Sequence, residues 1–491
     1  MAAPRLTIVG GGTAALEALL AARRSLAQDA DLCLLAPERE FRYRPIDPDA
    51  VLRPVAERGL RIAELVAKTG ARWVVDRAAV VDDAQRNLLT RDGDTLDFDS
   101  ALIAAGGRAR RALHCGEVWM RGGDPGCLDD TIDRVRRHRS PSVAVVVPRG
   151  ARWSVPAYEL ALVIAWSTAE ATGRTVTLVS AEAAPLAALG EAVSAAVAQE
   201  LAAAGIELIT GVEAFEDPDA AERRLTGAAH VVLVPEDPAA ATDALTGRPS
   251  DPEQMRLSQG THAAYDRLIS LPTVSGPGIE GLATDACGFL DVDETLRVRG
   301  ATRTWAAGAC VAATLEHSAL AARQADAAID AIARTITGGG GSTERGATEL
   351  TGMLLTGQRD AWLAANPPGT LQPSTRCLWW PPGRAVGALL AEQIAAWDPT
   401  IESALPGFPN GLLIEAPVHF DHSSQAPHPI AWGSEEERRR DIEARQRRAL
   451  GRRSRDADAE LHELETRLDS FAAREARAIA ELRAHGYLRG H

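Results

Sequence analysis

Three consecutive glycines near the N-terminus have the type and spacing that bind nucleotide phosphates. The segment VGGGTAA, from Val9 to Ala15, follows an apolar run and begins an Ala- and Leu-rich stretch. It matches the pattern GxGxxG/A, in which the first glycine makes a tight turn and the second lets a pyrophosphate approach the backbone. The N–H groups and dipole at the start of the following helix attract the same anion. A glycine-rich turn without a ligand is the alternative. The candidate cofactor-binding residues of this turn are Gly10, Gly11, Gly12, Thr13, Ala14 and Ala15, the last of which allows close helix–strand packing.

The acid that commonly binds the ribose of a dinucleotide is displaced in this sequence. That acid usually ends the second strand, yet Ala36 occupies the position after the apolar run Leu32 to Leu35. Glu38 is the nearest replacement, and Arg39 follows it. We therefore predict that Glu38 and Arg39 contact the cofactor, while a solvated loop charge stays open as the alternative for Glu38.

Three further segments carry a resemblance to a known class of protein. They are EFRYRP from Glu40 to Pro45, FDSALIAAGG from Phe98 to Gly107 and WAAGAC from Trp305 to Cys310. In this order, and together with the glycine turn, they resemble flavoproteins that have two dinucleotide-binding domains. Within that class they are similar to the branch of sulfide:quinone oxidoreductases and type II NADH dehydrogenases. The resemblance covers residues 1 to about 335.

The resemblance implies an FAD held in an extended form. Its adenine end would lie at the glycine turn and its flavin end near Pro45 and Gly308. Ala105 stands where the family has the Thr of Ala-Thr-Gly, and Ala309 stands where many members have an Asp that binds the ribityl chain. Sulfide:quinone oxidoreductases often lack that Asp as well. The remaining cofactor contacts implied in this way are Ala78, Ala105, Gly106, Gly308 and Ala309.

The stretch from Trp153 to Glu159 resembles the Cys-x-Gly-Pro-Ala-Tyr-Glu segment of sulfide:quinone oxidoreductases. Trp153 replaces the sulfide-reactive Cys, so we expect no sulfur transfer. Glu159 matches the acid that faces the flavin in that branch, which makes it the catalytic candidate. A carboxyl in an apolar flavin pocket would have a raised pKa and could relay protons. An ordinary helix-surface glutamate is the alternative interpretation.

A binding site for NAD(P)H has weaker support. Such a site needs a glycine-rich turn directly behind the apolar run that ends at Val147, and only Gly150 is present there. Arg149 and Arg152 are placed to meet phosphates, so NAD(P)H stays open as a second ligand. Solvation of both arginines at the surface is the alternative.

These candidate residues require elements that alternate between strand and helix. Apolar runs alternate with Ala-rich helical stretches twice, once from Leu6 and once from Val143, which is typical of a parallel sheet covered on both faces. We predict an α/β fold with two Rossmann-like nucleotide-binding domains, of which the FAD domain is discontinuous, plus a C-terminal region and a helical tail. The predicted divisions are 1–112 for the first FAD segment, 113–270 for the inserted NAD(P)-binding-like domain, 271–337 for the second FAD segment, 345–432 for the C-terminal region and 434–491 for the charged tail.

Composition excludes several classes of function. The 491 residues carry 53 basic and 67 acidic side chains, a net charge of −14, which argues against binding of nucleic acid or anionic lipid. Charged residues interrupt every apolar run, so we expect no transmembrane segment and a cytoplasmic protein. Six cysteines form no CxxC pair and no zinc spacing, so we expect no bound metal and no dithiol chemistry.

The sequence thus predicts an FAD-dependent oxidoreductase. It would pass two electrons from NAD(P)H or another small donor through FAD to a quinone-like or small acceptor. Two alternatives stay open: a degenerate flavin-fold protein that binds or regulates without turnover, and a plain NAD(P)-dependent enzyme. A leucine-rich helical stripe from Leu461 to Leu482 suits docking on the body or on a second subunit as a homodimer.

Overall fold

The computed structural model describes eleven stretches of the chain, and all structural statements below concern these residues. They are 3–43, 58–119, 125–138, 141–217, 228–235, 260–312, 315–338, 348–355, 371–373, 387–397 and 411–418. Pro45 and the predicted charged tail at 434–491 lie outside the described residues.

The first part of the chain builds a parallel sheet and three smaller β elements. Its strands are β1 (Arg5–Val9), β2 (Asp31–Leu35), β3 (Glu40–Tyr43), β4 (Arg58–Arg61), β5 (Arg72–Val74), β6 (Ala78–Asp82), β7 (Asn87–Thr90), β8 (Thr95–Asp97), β9 (Ser100–Ile103), β10 (Arg108–Arg110) and β11 (Glu117–Val118). Its helices are α1 (Thr13–Leu26) and α2 (Ile62–Thr69). Strands β6, β7 and β8 form an antiparallel sheet, and β3 pairs with β4.

The middle part of the chain builds a second parallel sheet. Its helices are α3 (Pro125–Arg137), α4 (Val155–Ser167) and α5 (Glu191–Ala203), with a 3-10 turn at Ala187–Leu189. Its strands are β12 (Ser142–Val147), β13 (Thr175–Ser180), β14 (Glu207–Thr210), β15 (Val212–Glu216), β16 (Ala229–Pro235), β17 (Thr261–Tyr265), β18 (Arg267–Ser270) and β19 (Thr273–Ser275). The sheet has the order β11-β18-β12-β13-β14, and all its pairs are parallel.

The last described elements return to the first sheet and then extend beyond it. They are β20 (Thr304–Ala306), α6 (Ser318–Thr337), β21 (Thr348–Leu355), β22 (Leu371–Pro373), α7 (Ala388–Trp397) and β23 (Gly411–Val418). Strand β20 pairs in parallel with β9 and completes the order β20-β9-β1-β2-β5. The first sheet is therefore assembled from two distant stretches of sequence, and the predicted α/β fold class with two Rossmann-like sheets is confirmed.

One apolar strand of the middle part lies outside the second parallel sheet. The run Val231 to Val234 belongs to β16, which pairs antiparallel with β15 and β17. Gly211, with φ of +65°, makes a tight turn directly after β14, so β15 leaves the parallel sheet at once. Strand β18 supplies the parallel neighbour of β12 in its place.

Helix α4 is buried on all sides, which sets the position of the second half of the site. Ten of its residues between Val155 and Ala165 are buried, and the helix is apolar around its whole circumference. The helix ends at Ser167, and the C-cap residue Thr168 donates both its N–H and its hydroxyl to the Ile164 carbonyl.

Neither a candidate membrane span nor a candidate metal-binding cluster is present in the described stretches. None of their helices combines the length and apolar character needed to cross a bilayer. No group of three or more His, Cys, Asp or Glu side chains in them could hold a metal ion.

Candidate functional site

The glycine turn lies where the carboxyl end of β1 meets α1. Gly10 has φ of +128°, and its N–H donates to the Leu35 carbonyl at 2.8 Å. A Cβ on Gly10 would lie 2.3 Å from the Ala104 carbonyl oxygen, so the backbone at the end of β9 admits glycine alone. A Cβ on Gly12 would have no atom within 4 Å. The first glycine therefore serves the fold, and Gly12 faces open space.

The start of α1 leaves its first N–H groups to a ligand. Gly12 is the N-cap residue, no side chain caps the helix, and no acidic residue lies in its first turn. Four N–H groups at a helix start lack partners within the helix, and together with the dipole they attract anions. This end of α1 fits a pyrophosphate.

A cavity of about 1260 Å³ opens from this turn. It is larger than the roughly 300–1,000 Å³ of ordinary small-molecule sites, so it has room for an extended ligand. Its wall runs from the glycine turn to Glu38 and Ala78 in one direction and to Trp153 and His317 in another.

Arginines outnumber acids around the cavity, although the whole chain is acidic. The lining arginines are Arg39, Arg42, Arg77, Arg91, Arg108 and Arg152. The lining acids are Glu38, Glu40, Asp76 and Glu316. Burial, and then repulsion from Arg91, Arg110 and Arg77, lower the pKa of Arg108. Mutual repulsion among the arginines indicates a local positive potential that favours a phosphate-bearing ligand.

Most of the predicted cofactor residues meet at this cavity. The residues that line it are Gly10, Gly11, Gly12, Thr13, Ala14, Glu38, Arg39, Ala78, Ala105, Gly106 and Ala309. Glu38 reaches over the turn, since a Cβ on Gly11 would lie 2.7 Å from its Oε2 atom. Arg77 approaches the Glu38 carboxylate at 4.0 Å. Glu38 thus lies beside the glycine turn on the cavity wall, and its contact with a ribose stays a prediction.

Two predicted residues act behind the cavity wall. Ala15 is fully buried, in keeping with its predicted packing role. Gly308, with φ of +80°, donates its N–H to Gln324 Oε1 at 2.8 Å. A Cβ on Gly308 would lie 3.1 Å from the Ala14 Cβ and 3.3 Å from the Ala321 Cβ. Gly308 therefore lets the first turns of α1 and α6 approach each other.

Glu159 does not fit its predicted place at the ligand. It is 9% exposed, so the alternative of an ordinary surface glutamate is wrong. It is also not among the described residues that line the cavity, which meets α4 at Pro156. Glu159 lies about one helical turn behind that contact, so a direct proton relay from its carboxyl to a ligand is not supported by the geometry.

The wall near α4 and α6 is formed by aromatic rings and a buried arginine. The rings of Trp153 and His317 lie 4.9 Å apart between centroids, at an angle of 56°. Trp119 also lines the cavity, and no pattern in the sequence pointed to it. The Arg152 guanidinium lies 3.9 Å from the centre of the Phe289 ring and donates to the Val311 carbonyl at 2.8 Å. Burial lowers the pKa of Arg152 to about 10, so the side chain stays cationic at neutral pH.

The carboxyl end of β13, in the second parallel sheet, is followed by a carboxylate that the sequence interpretation also missed. Glu182 follows β13, where a dinucleotide fold commonly has its ribose acid, and this position was the signal that could have found it. Its oxygens accept hydrogen bonds from Ser154 Oγ at 2.9 Å, Tyr158 OH at 2.8 Å and Ser180 Oγ at 3.2 Å. Burial, and then the Glu182 charge, raise the pKa of Tyr158, which keeps the phenol a donor. Three of the roughly four acceptor positions of the carboxylate are thus taken by the protein.

The arginines predicted to meet the phosphates of NAD(P)H have other contacts. Arg149 lies 3.6 Å from Glu213, and Arg152 packs on Phe289. The turn after β12 has a single glycine, Gly150, with φ of +87°. These residues fit a pyridine nucleotide poorly, whereas the turn after β1 fits FAD.

Two parallel nucleotide-type sheets, a glycine turn at one of them and a long cavity define a flavoprotein of the two-dinucleotide-domain class. Residues 4–236 match the family described as pyridine nucleotide-disulphide oxidoreductase. The match covers just under half of the 491 residues, and the protein is an FAD-dependent oxidoreductase, as the sequence predicted. Members of the family use FAD and NAD(P)H.

Solved structures show the same fold at low sequence identity. The sulfide:quinone oxidoreductase of Aquifex aeolicus is 15% identical, with a TM-score of 0.55, over 72% of this chain and 81% of that one. A chain of the mitochondrial ATP synthase of Tetrahymena thermophila is 12% identical, with a TM-score of 0.51, over 72% and 85%. A comparison with curated proteins gave no significant sequence match.

Proposed function

We propose that the protein passes two electrons from a small donor through FAD to a small, planar, quinone-like acceptor. The observation that carries this proposal is one continuous cavity whose lining includes both the glycine turn and the aromatic pair Trp153 and His317. The turn and the arginines would bind the dinucleotide, and the aromatic wall would receive a flat ring. When bound, FAD supplies the hydride and electron chemistry.

The protein's own residues would bind, orient and exclude water. The Gly12 backbone and the bare start of α1 would fix the pyrophosphate, and Glu38 would accept from the ribose hydroxyls. Trp119, Trp153 and Leu271 would shield the ring end from water, which strengthens hydrogen bonds to a ligand. Glu159 has no direct contact in this scheme.

The chemical identity of the electron donor is less well defined than that of the electron acceptor. NAD(P)H is the weaker candidate, because Glu182 is already hydrogen-bonded and Arg149 is paired with Glu213. Another small donor that enters the same cavity from solvent suits the geometry better.

The spectrum of the purified protein tests the proposal. We expect the purified protein to contain FAD and to show the absorbance spectrum of a bound flavin. A chemical reductant should bleach this absorbance in the absence of oxygen, and a soluble quinone should restore it. Protein that cannot be loaded with FAD would support the degenerate binding module instead. Bound FAD that a quinone does not reoxidise would disprove the acceptor assignment while leaving the cofactor assignment intact.

A further inference from the structure

His317 is held in one orientation on the α6 side of the cavity. It is the N-cap residue of α6, and its Nδ1 atom accepts a hydrogen bond from the Ala319 N–H at 3.3 Å. Its ring lies against Trp153. The preceding residue, Glu316, donates its N–H to the Arg152 carbonyl at 3.0 Å, so the loop before α4 and the loop before α6 are tied together.

The hydrogen bond to Nδ1 decides which nitrogen carries the proton. A neutral imidazole has one donor and one acceptor nitrogen, so an accepting Nδ1 leaves the proton on Nε2. Burial, and then the charge of Arg323, lower the pKa of His317 to about 4, which keeps the ring neutral at physiological pH. Nε2 has no hydrogen-bond partner among the described residues, and His317 lines the cavity.

The surroundings define the chemistry of a matching ligand. Trp119, Trp153 and Pro272 line the same wall and offer flat apolar surface. A neutral N–H donor beside such a surface suits a carbonyl oxygen on a planar ring, because no charged partner has to be desolvated. The positive end of the α6 dipole adds to the stabilisation when negative charge develops on that oxygen.

We propose that His317 donates its Nε2–H to a carbonyl oxygen of a planar ring bound in the cavity, and that Trp153 holds the imidazole for this contact. The inference rests on the proposed function. Two rings have such an oxygen: the pyrimidine part of bound flavin and a quinone acceptor. His317 is then a neutral donor whose strength does not change between pH 6 and 9.

Three substitutions separate the two nitrogens of His317. His317→Asn places an oxygen near the Nδ1 position, so it keeps the cap on Ala319 and removes the donor. His317→Gln places an amide N–H near the Nε2 position and should restore the donor. His317→Phe keeps a ring against Trp153 and lacks both nitrogens, so it also removes the donor and replaces the Asn variant in the test if the Asn protein fails to fold. His262→Asn, on β17 and outside the cavity, is the matched control.

The measurements are FAD content, the two-electron potential of the bound flavin by dye equilibration, and KM for soluble menadione. If the carbonyl belongs to flavin, Asn and Phe should weaken binding of the reduced form relative to the oxidised form about tenfold. Such a change lowers a two-electron potential by about 30 mV. If the carbonyl belongs to the quinone, the potential should stay constant while KM rises about tenfold.

The outcomes separate this inference from the proposed function. Loss in Asn and Phe with recovery in Gln supports the donor role, and the quantity that changes identifies the ring. Unchanged potential and KM in Asn and Phe, in protein that binds FAD, would overturn the donor role. Parent protein that binds no FAD would overturn the proposed function before any variant is compared.

Discussion

At the scale of single residues, Gly10 and Gly12 have different reasons to be glycine. Gly10 has positive φ and lies against the Ala104 carbonyl, so any side chain there strains the fold itself. Gly12 has extended φ of −89° and open space around its missing Cβ. A side chain on Gly12 therefore meets no protein atom and blocks only a ligand.

Gly12→Val should abolish FAD binding while the protein stays folded. The branched side chain would stand where a pyrophosphate must approach the backbone. We expect loss of bound flavin with a change in unfolding free energy below about 1 kcal/mol, measured by absorbance and thermal melting. Gly10→Val is the contrasting variant and should lower the melting temperature as well. Equal flavin content in parent and Gly12→Val would contradict the assignment of the turn.

The cysteines should be dispensable for turnover. All five described cysteines are free, and Cys310 is fully buried, with burial raising its pKa to about 11. Its thiol donates to the Ile103 and Ala307 carbonyls at 3.2 Å, contacts that a serine hydroxyl can also make. The double variant Cys127→Ser and Cys310→Ser should keep flavin-dependent turnover in a quinone-reduction assay. Loss of turnover with flavin still bound would indicate a thiol intermediate instead.

Sequence reasoning located the part of the site that depends on local pattern. The glycine turn and Glu38 could be predicted, because their spacing relative to β1 and β2 is fixed by the fold. Trp119 and the Trp153–His317 contact could not, since they come from separate loops that meet only in the folded chain. Glu159 was misplaced because sequence shows that a helix is buried without showing which of its faces meets the cavity.

At the scale of elements, the turn from β12 to α4 governs access for a pyridine nucleotide. Ser154 and Tyr158, at the start of α4, fasten the helix to Glu182 at the end of β13. In a functional dinucleotide site that acid would accept hydrogen bonds from the ribose hydroxyl groups. The second sheet thus keeps the nucleotide fold, while its acid is used to fix the helix that carries the cavity wall.

NADH and NADPH should therefore reduce the flavin slowly. A bound nucleotide would have to compete with the hydrogen bonds that Glu182 already accepts. Charge-assisted contacts from arginine, worth about 1.5–3 kcal/mol each, could favour binding. Arg149 is not available for such a contact, because it is paired with Glu213. Anaerobic stopped-flow measurements with each nucleotide would show weak, non-saturating bleaching at micromolar concentration. Rapid saturable bleaching would contradict this expectation and make the protein a nicotinamide-driven enzyme.

At the scale of the whole molecule, α7 is joined to the first domain by a buried acid. Glu17 on α1 is fully buried, and its carboxylate accepts the N–H groups of Leu389 and Leu390 at 2.9 and 2.7 Å. A Cβ on Gly387 would lie 2.6 Å from the Glu17 carboxyl carbon and 2.7 Å from the Ala322 Cβ, so α7 enters between α1 and α6 only through glycine. The hydrogen bonds of Glu17 could not be predicted from the sequence, because they join positions more than 370 residues apart.

The contact between α7 and Glu17 should contribute less to the stability of the protein as pH rises. Burial raises the pKa of Glu17 to about 7 from an ordinary 4.5, against the opposing hydrogen bonds of Leu389 and Leu390. Burial also raises the pKa of Asp326, on α6, to about 6, against the opposing charge of Arg24. A raised carboxyl pKa means that the folded state holds more protons than the unfolded one. This contribution to stability is therefore complete below about pH 4, is lost progressively as pH rises from about 4 to about 7, and is absent above that range.

Glu17→Gln tests this origin of the pH dependence. Glutamine keeps an oxygen for one of the two N–H donors and removes the charge, so the variant should lose less stability than the parent between pH 5 and 9. From the shift of Glu17, the difference should be on the order of 2–3 kcal/mol. Thermal melting across that range measures it, and the protection of the Leu389 and Leu390 amides, corrected for the intrinsic exchange rate at each pH, should fall with pH in the parent more than in the variant. Glu64→Gln, at a half-buried acid on α2 that pairs with Arg61, is the control and should follow the parent. Parallel melting curves for the parent and Glu17→Gln would show that the ionisation of Glu17 does not set the stability of this contact.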